Sequence, residues 1–264
     1  MISNITLGQY FPGDSVIHKL DPRLKLLLTI ALIVLVFFVK TIWGYVAVFA
    51  FFVLVILLSG VSLKYVLKGI RPMWFIILLT FIMNVFFTQG ETLLFEWKFI
   101  RAYREGLIHA IVIAVRFVLL ITCSTMLTLT TSPKEITDAL ERLLRPLKKV
   151  RFPVHEMSLM MSIALRFIPT LVEETDRIMK AQTARGASFD QGSFLSKAKD
   201  LIPVLVPLFV SAFKRAEELA LAMEARCYHG GENRTQLKVY QLALRDYTSI
   251  IVFAGLAVFI ALGI

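Results

Sequence analysis

Apolar residues along this chain come in blocks rather than at the scattered spacing of a soluble domain. One block runs from Leu26 to Val39, breaks at Lys40, and is followed by a second from Ile42 to Leu58 that contains no charge. A third covers Met73 to Thr88, a fourth covers Leu107 to Thr131 with a single charge at Arg116, and the last runs from Ile250 to Ile264. Crossing about 30 Å of hydrocarbon takes about 20 residues at about 1.5 Å per residue. Three of the five blocks, the first, third and fifth, are somewhat short of that. Flanking residues such as Lys25 or Tyr247, or a thinned bilayer, make up the difference. The pattern predicts an all-α integral membrane protein with about five transmembrane helices.

Residues 132–246 break the pattern, being too charged for lipid and too apolar for a loop. Three helices are predicted there. The first starts at Ser132-Pro133-Lys134-Glu135, which supplies an N-cap Ser, Pro at the first helical position and Glu at the third, and it ends between Leu144 and Lys149. The second runs from about Val154 to Ala184, with Met157, Met160, Met161, Ala164, Ile168, Leu171 and Val172 on one face and Arg166, Glu173, Arg177 and Lys180 on the other. The third runs from about Ser196 to Arg226, with Leu201, Leu205, Leu208, Ala212, Ala216, Leu219 and Met223 as its apolar row. Pro169 in the second helix and Pro203 and Pro207 in the third predict bends. Two placements stay open for this long pair: amphipathic helices at the membrane surface, or one further pair of crossings. The organisation expected is a membrane domain over 1–131, a helical cytoplasmic domain over 132–246 and a C-terminal span over 247–264.

Composition supports this reading. The hydrophobic share is 57%, only 18% of residues are charged, and the mean hydropathy is +0.73; soluble domains sit nearer half apolar and a quarter charged. A net charge of +10 would suggest nucleic acid in a soluble protein, but in a membrane protein Lys and Arg mark cytoplasmic loops. Lys19, Arg23 and Lys25 precede the first span, and Lys64, Lys68 and Arg71 lie between the second and third with no acid among them. The loop after the first span has only Lys40, and residues 89–106 balance three cations against three acids. The N-terminus and residues 132–246 are therefore expected in the cytoplasm and the C-terminus outside, with no nucleic-acid partner. No basic leader with a small-residue cleavage site opens the chain, so no removable signal peptide is expected.

The two long cytoplasmic helices end alike. One closes on Ala184-Arg185-Gly186 and the next on Ala225-Arg226-Cys227, the arginines 41 positions apart. A glycine after a helix adopts the left-handed conformation that ends it, and an arginine in the last turn complements the helix dipole. Small residues on both sides leave the guanidinium able to enter a groove and fork onto a carboxylate. One such tripeptide reads as a cap; two matched copies on successive helices point to docking.

At these residues the chain resembles the transmembrane T component of energy-coupling factor (ECF) transporters, the EcfT/CbiQ family. The resemblance rests on Gly8-Gln9-Tyr10, Pro12-Gly13-Asp14-Ser15, Leu20-Asp21-Pro22-Arg23-Leu24-Lys25-Leu26, the two Arg-centred motifs, Glu224 and the run Tyr228 to Thr235. It implies that the paired helices are coupling helices, with Ala184, Arg185, Gly186 and Ala225, Arg226, Cys227 docking on two ATP-binding-cassette ATPase subunits. It further implies that apolar faces including Met157, Met160, Met161, Leu205 and Leu208 hold a substrate-binding S component. Membrane lipid is the remaining partner, a prokaryotic cell membrane the location, and a vitamin or transition-metal ion the cargo. The family often has Gly where Cys227 stands; Cys is small enough to keep the arginine accessible.

The residues themselves divide the labour in the same way. No G-x-x-x-x-G-K-[ST] loop is present, so no cofactor is expected in this chain and ATP and Mg are expected in partners; a non-catalytic subunit follows. The competing reading, a self-sufficient secondary carrier, lacks the intramembrane carboxylate or histidine chain that proton coupling needs. Arg116 is expected to pair structurally, with Asn84 or backbone carbonyls. His18, His109, His155 and His229 lie on separate segments, and Cys123 and Cys227 have no paired or ligand spacing, so no metal site is expected. The methionine row reads equally as packing or as an adaptable contact surface. Gly69-Ile70-Arg71-Pro72 is expected to be a cytoplasmic turn.

Overall fold

The computed structural model describes residues 10–88, 90, 92–97, 100–150, 152–187, 194–230 and 242–262. Gly8, Gln9 and residues 231–235, which carry part of the resemblance, lie outside them, as do Ile264 and its neighbour at the end of the last apolar block. The architecture is all-α, and its helices are α1 (Pro22–Phe38), α2 (Ile42–Ser59), α3 (Leu63–Ile70), α4 (Trp74–Phe87), α5 (Arg104–Thr130), α6 (Pro133–Leu144), α7 (Val154–Ala184), α8 (Phe194–Glu224) and α9 (Leu244–Ala261). One antiparallel hairpin, β1 (Leu93–Trp97) with β2 (Ile100–Tyr103), is set between α4 and α5 in the stretch expected as a plain loop. Two compact units divide the described chain, one of residues 8–139 with 239–264 and one formed mainly by 140–238. The first division falls inside α6.

Among the described residues of the larger unit, four helical stretches are long and apolar enough to cross a membrane: Ile42–Ser59, Leu63–Phe87, Arg104–Thr130 and Leu244–Ala261. α1 adds a further apolar helix of 17 residues that packs along α5 and α9. Its start is fixed locally, with Pro22 at the first helical position and the Asp21 carboxylate accepting the Arg23 N–H at 2.9 Å. Leu32, Val36, Val48, Phe52, Leu119, Cys123 and Ile260 make the core where α1, α2, α5 and α9 meet. Lipid tails are as apolar as these side chains, so close packing holds the bundle rather than expulsion of water. Consistent with a lipid surround, Trp43, Trp74, Phe75 and Phe87 are all more than 60% exposed.

Two expectations are corrected here. Gly69 to Pro72 is not a turn: α3 runs to Ile70, a 3-10 turn covers Arg71–Met73, and α4 follows directly. Val66 is buried and Gly69 lies so near α5 that an added Cβ would stand 2.6 Å from Thr125 Oγ1. Contact with α5 therefore holds as helix a segment whose cations read as loop, and Pro72 fits the start of a 3-10 turn, where its missing N–H is not needed. Arg116 does not pair with Asn84. Its Nη2 donates to Tyr45 Oη at 3.0 Å and its guanidinium lies 5.5 Å from the Phe37 ring centroid, while Asn84 Nδ2 donates to Thr80 O within its own helix.

The ends of α1, α5 and α9 are tied by a buried polar knot. Asp246, 1% exposed, accepts the Asp21 N–H at 2.9 Å and the Ala243 N–H at 2.7 Å. Arg23 forks onto Asp21, with Nη2 2.6 Å from Oδ2. Lys25 Nζ donates to His18 O at 3.0 Å and Thr130 O at 2.9 Å, closing the loop from the first helix to the end of α5. The segment before α1 folds over this knot, with His18 Nε2 2.9 Å from Phe11 O and Nδ1 2.7 Å from Ser15 Oγ.

Candidate docking site

In the smaller unit the chain turns from α6 into α7 through a 3-10 stretch, Arg145–Val150. Glu141 on α6 holds the first turn of α7, accepting from Ser158 Oγ at 2.8 Å and lying 3.1 Å from His155 Nδ1. At the start of α6, in the larger unit, Ser132 and Glu135 form the reciprocal cap that their spacing predicts, at 3.1 and 3.3 Å. Both long helices run on through their internal prolines, Pro169 in α7 and Pro203 and Pro207 in α8.

α7 and α8 pack on each other. Arg215 Nη2 donates to Glu174 at 3.2 Å, and Gln182 Nε2 donates to Pro203 O at 3.2 Å. Contacts that pair late α7 with early α8, and earlier α7 with later α8, make the two antiparallel. Glu224 lies 21 residues beyond Pro203, roughly 30 Å along the helix at about 1.5 Å per residue. The two Arg-bearing ends therefore stand at opposite ends of the pair.

Each end closes by the same backbone pattern. After α7, Gly186 N–H donates to Thr183 O and Ala187 N–H to Gln182 O, each at 3.0 Å. After α8, Cys227 N–H donates to Glu224 O at 2.8 Å and Tyr228 N–H to Met223 O at 3.0 Å. Both are Schellman motifs, with Arg185 and Arg226 at the equivalent C-cap position. The residue after each arginine is left-handed, Gly186 at φ 93° and Cys227 at φ 55°. Cys227 thus keeps the cap that glycine would make, bearing the side-chain strain of that conformation. All six residues, Ala184, Arg185, Gly186, Ala225, Arg226 and Cys227, are exposed, and neither guanidinium has an ion-pair partner among the described residues.

Cys227→Gly is accordingly expected to stabilise the end of α8 by about 0.5–1 kcal/mol, and Gly186→Ala to destabilise the end of α7 by about 1 kcal/mol. Local amide exchange on the last turn of each helix reads both; unchanged protection in both variants would contradict the shared cap.

The apolar faces are placed partly as the spacing predicts. Met157, Met160 and Met161 are 38%, 60% and 44% exposed on the first turns of α7, and Leu205 is exposed. Leu208, Ala212, Leu219 and Met223 are half-buried, so much of the predicted row of α8 faces inward. The outward apolar face is instead Ile202, Val206, Phe209, Val210 and Phe213, at 54–72% exposure. Spacing alone missed it because residues 201–213 are apolar around almost the whole circumference, and that uniformity was itself the available signal.

The family described as "CbiQ: Cobalt transport protein" matches residues 13–237. A protein of Clostridium kluyveri is 53% identical over 248 residues, covering 94% of this chain and 92% of its own, and is named energy-coupling factor transporter transmembrane protein EcfT. Proteins of the same name from Brevibacillus brevis and Bacillus subtilis are 52% and 47% identical, over 93% and 98% of this chain and 93% and 99% of theirs.

Proposed function

The chain belongs to the CbiQ/EcfT family of energy-coupling factor transporter transmembrane components, and on that premise we propose that its α7–α8 pair transmits nucleotide-driven motion from two ATPase subunits to a substrate-binding membrane partner. The observation that carries the proposal is the pair of matched Schellman ends, each presenting an exposed arginine with no ion-pair partner among the described residues, at opposite ends of two packed helices. Two separated points of the same chemistry suit two related subunits. A guanidinium at the C-cap complements the carbonyls of its own helix and keeps its planar fork for an acidic groove.

The division of labour follows. ATP and Mg are held by the ATPases, and this chain is the non-catalytic membrane subunit. The exposed methionines at the start of α7, with Leu205 and the outward face of α8, meet the S component, whose own pocket selects the vitamin or metal ion; unbranched methionines suit a surface that repacks against more than one partner. The unit of residues 140–238 lies on the cytoplasmic side, as does the N-terminus, and the C-terminus lies outside, following the Lys and Arg of the intervening loops.

The test is co-purification of the ATPase subunits with tagged wild type, Arg185→Glu, Arg226→Glu and the double variant from membranes in which all insert equally. Each single substitution is expected to reduce ATPase recovery, and the double to remove it. Full recovery with the double variant would overturn the assignment.

A further inference from the structure

Within the larger unit a cavity of about 220 Å³ lies between α1, α2, α5 and α9. Its walls are mostly apolar, among them Leu28, Phe52, Met126 and Phe253, and one end is made by Lys25, Thr130 and Arg245, with Lys25 Nζ bonded to Thr130 O. Leu54 and Val252 line it and are 48% and 52% exposed, so the cavity opens sideways onto the outer surface of the bundle.

Lys25 is 6% exposed, and its two carbonyl partners, His18 and Thr130, use two of its three donors. Arg245 is exposed, has no ion-pair partner among the described residues, and is near enough to Lys25 for the two charges to repel. Lys25 is faced by Glu135, Asp246 and Asp21, of which Asp21 is forked by Arg23, so its charge is answered within the fold and Arg245 is the cation at this end left for an anion.

We infer that this cavity holds one anionic membrane phospholipid, its phosphate at Arg245 and an acyl chain between the walls. Charge complementarity selects the headgroup, since basic pockets between membrane helices are sites for anionic lipid. The sideways opening admits the chain directly from the bilayer, and the apolar walls match a hydrocarbon tail while offering a small soluble anion nothing. The inference does not depend on the function proposed for the docking ends.

Native mass spectrometry of the delipidated full-length chain, titrated with phosphatidylglycerol or with phosphatidylcholine of the same acyl chains, tests the inference. One phosphatidylglycerol is expected to be retained per chain, preferred about fivefold over phosphatidylcholine for a single exposed arginine at the headgroup. Arg245→Gln is expected to abolish the preference. Val252→Trp, which fills the opening without altering charge, is expected to lower retention of both lipids, and it keeps the test available if Arg245→Gln fails to fold. The joint variant Lys64→Gln with Lys68→Gln, on the exposed surface of α3, is expected to leave the preference intact. Equal retention of the two lipids by wild type, a preference that survives Arg245→Gln, retention unaffected by Val252→Trp, or a preference lost only with Lys64 and Lys68 would each overturn it.

Discussion

Reversing both docking arginines, Arg185→Glu with Arg226→Glu, is expected to bring ATP-driven uptake down to the background of cells lacking the chain. A charge pair desolvated in an interface costs about 2–5 kcal/mol when one partner is removed. Two independent docking points then lose at least about 4 kcal/mol, on the order of a thousandfold in assembly. Reversal adds repulsion against the acidic groove that the proposal requires. The folded chain itself should hardly notice. Both side chains are exposed and have no ion-pair partner among the described residues, so the cost to folding is confined to the helix-dipole interaction, about 0.3–1 kcal/mol at each end. Uptake lost with normal membrane insertion and thermal stability therefore reads docking rather than folding. Arg185→Lys with Arg226→Lys should fall between, because lysine keeps the charge and loses the planar fork. Wild-type uptake by the double Glu variant would exclude the arginines from the coupling path.

Asp246→Ala is expected to be the most damaging single substitution to the fold. The carboxylate is almost wholly buried and accepts two backbone N–H groups, from Asp21 and Ala243. Removing it strands both donors at about 1–3 kcal/mol each, a loss of about 2–6 kcal/mol concentrated where α9 meets the start of α1. Asp246→Asn keeps one acceptor and sets an N–H donor against the other, so an intermediate loss is expected. Arg23→Met should cost less than either, since the Arg23 side chain is 31% exposed and water can replace part of what it gives Asp21. Thermal unfolding of the detergent-solubilised chain ranks the three. A midpoint for Asp246→Ala equal to wild type would show that the knot does not hold these helices together.

What the sequence made legible was what is written locally. α7 begins at Val154 after Pro153 and ends before the left-handed Gly186; the Ser132–Glu135 box opens α6; both signals act within a few residues. The matched ends of α7 and α8 were legible for the same reason, because a Schellman cap is a property of six consecutive residues. Cys227 shows how far this reaches: a residue that seldom takes a left-handed φ does so because the same hydrogen bonds close the helix around it.

What was not legible depends on helix rotation and on distant partners. Arg116 finds Tyr45, 71 positions away, rather than Asn84, because the rotation of α5 against its neighbours decides which side chain it meets. Lys64, Lys68 and Arg71 read as a loop until contact with α5 buries Val66 and brings Gly69 against Thr125. Asp246 falls at the end of the expected cytoplasmic stretch 132–246, and its bond to Asp21 spans 225 positions. On α8, residues apolar on nearly every side leave periodicity no preferred direction, so which face turns outward is settled by packing against α7.

In the proposed assembly the Arg226 end is covered by an ATPase subunit. Cys227, exposed beside Arg226, reports on this directly, and Cys123 is buried and serves as an internal reference. The measurement is the rate of maleimide labelling at Cys227 in the isolated chain and in the complex assembled with its ATPase pair. Ready labelling is expected in the isolated chain and, once the ATPases are bound, a rate as slow as that of Cys123. Equally fast labelling of Cys227 in a demonstrably assembled complex would contradict it.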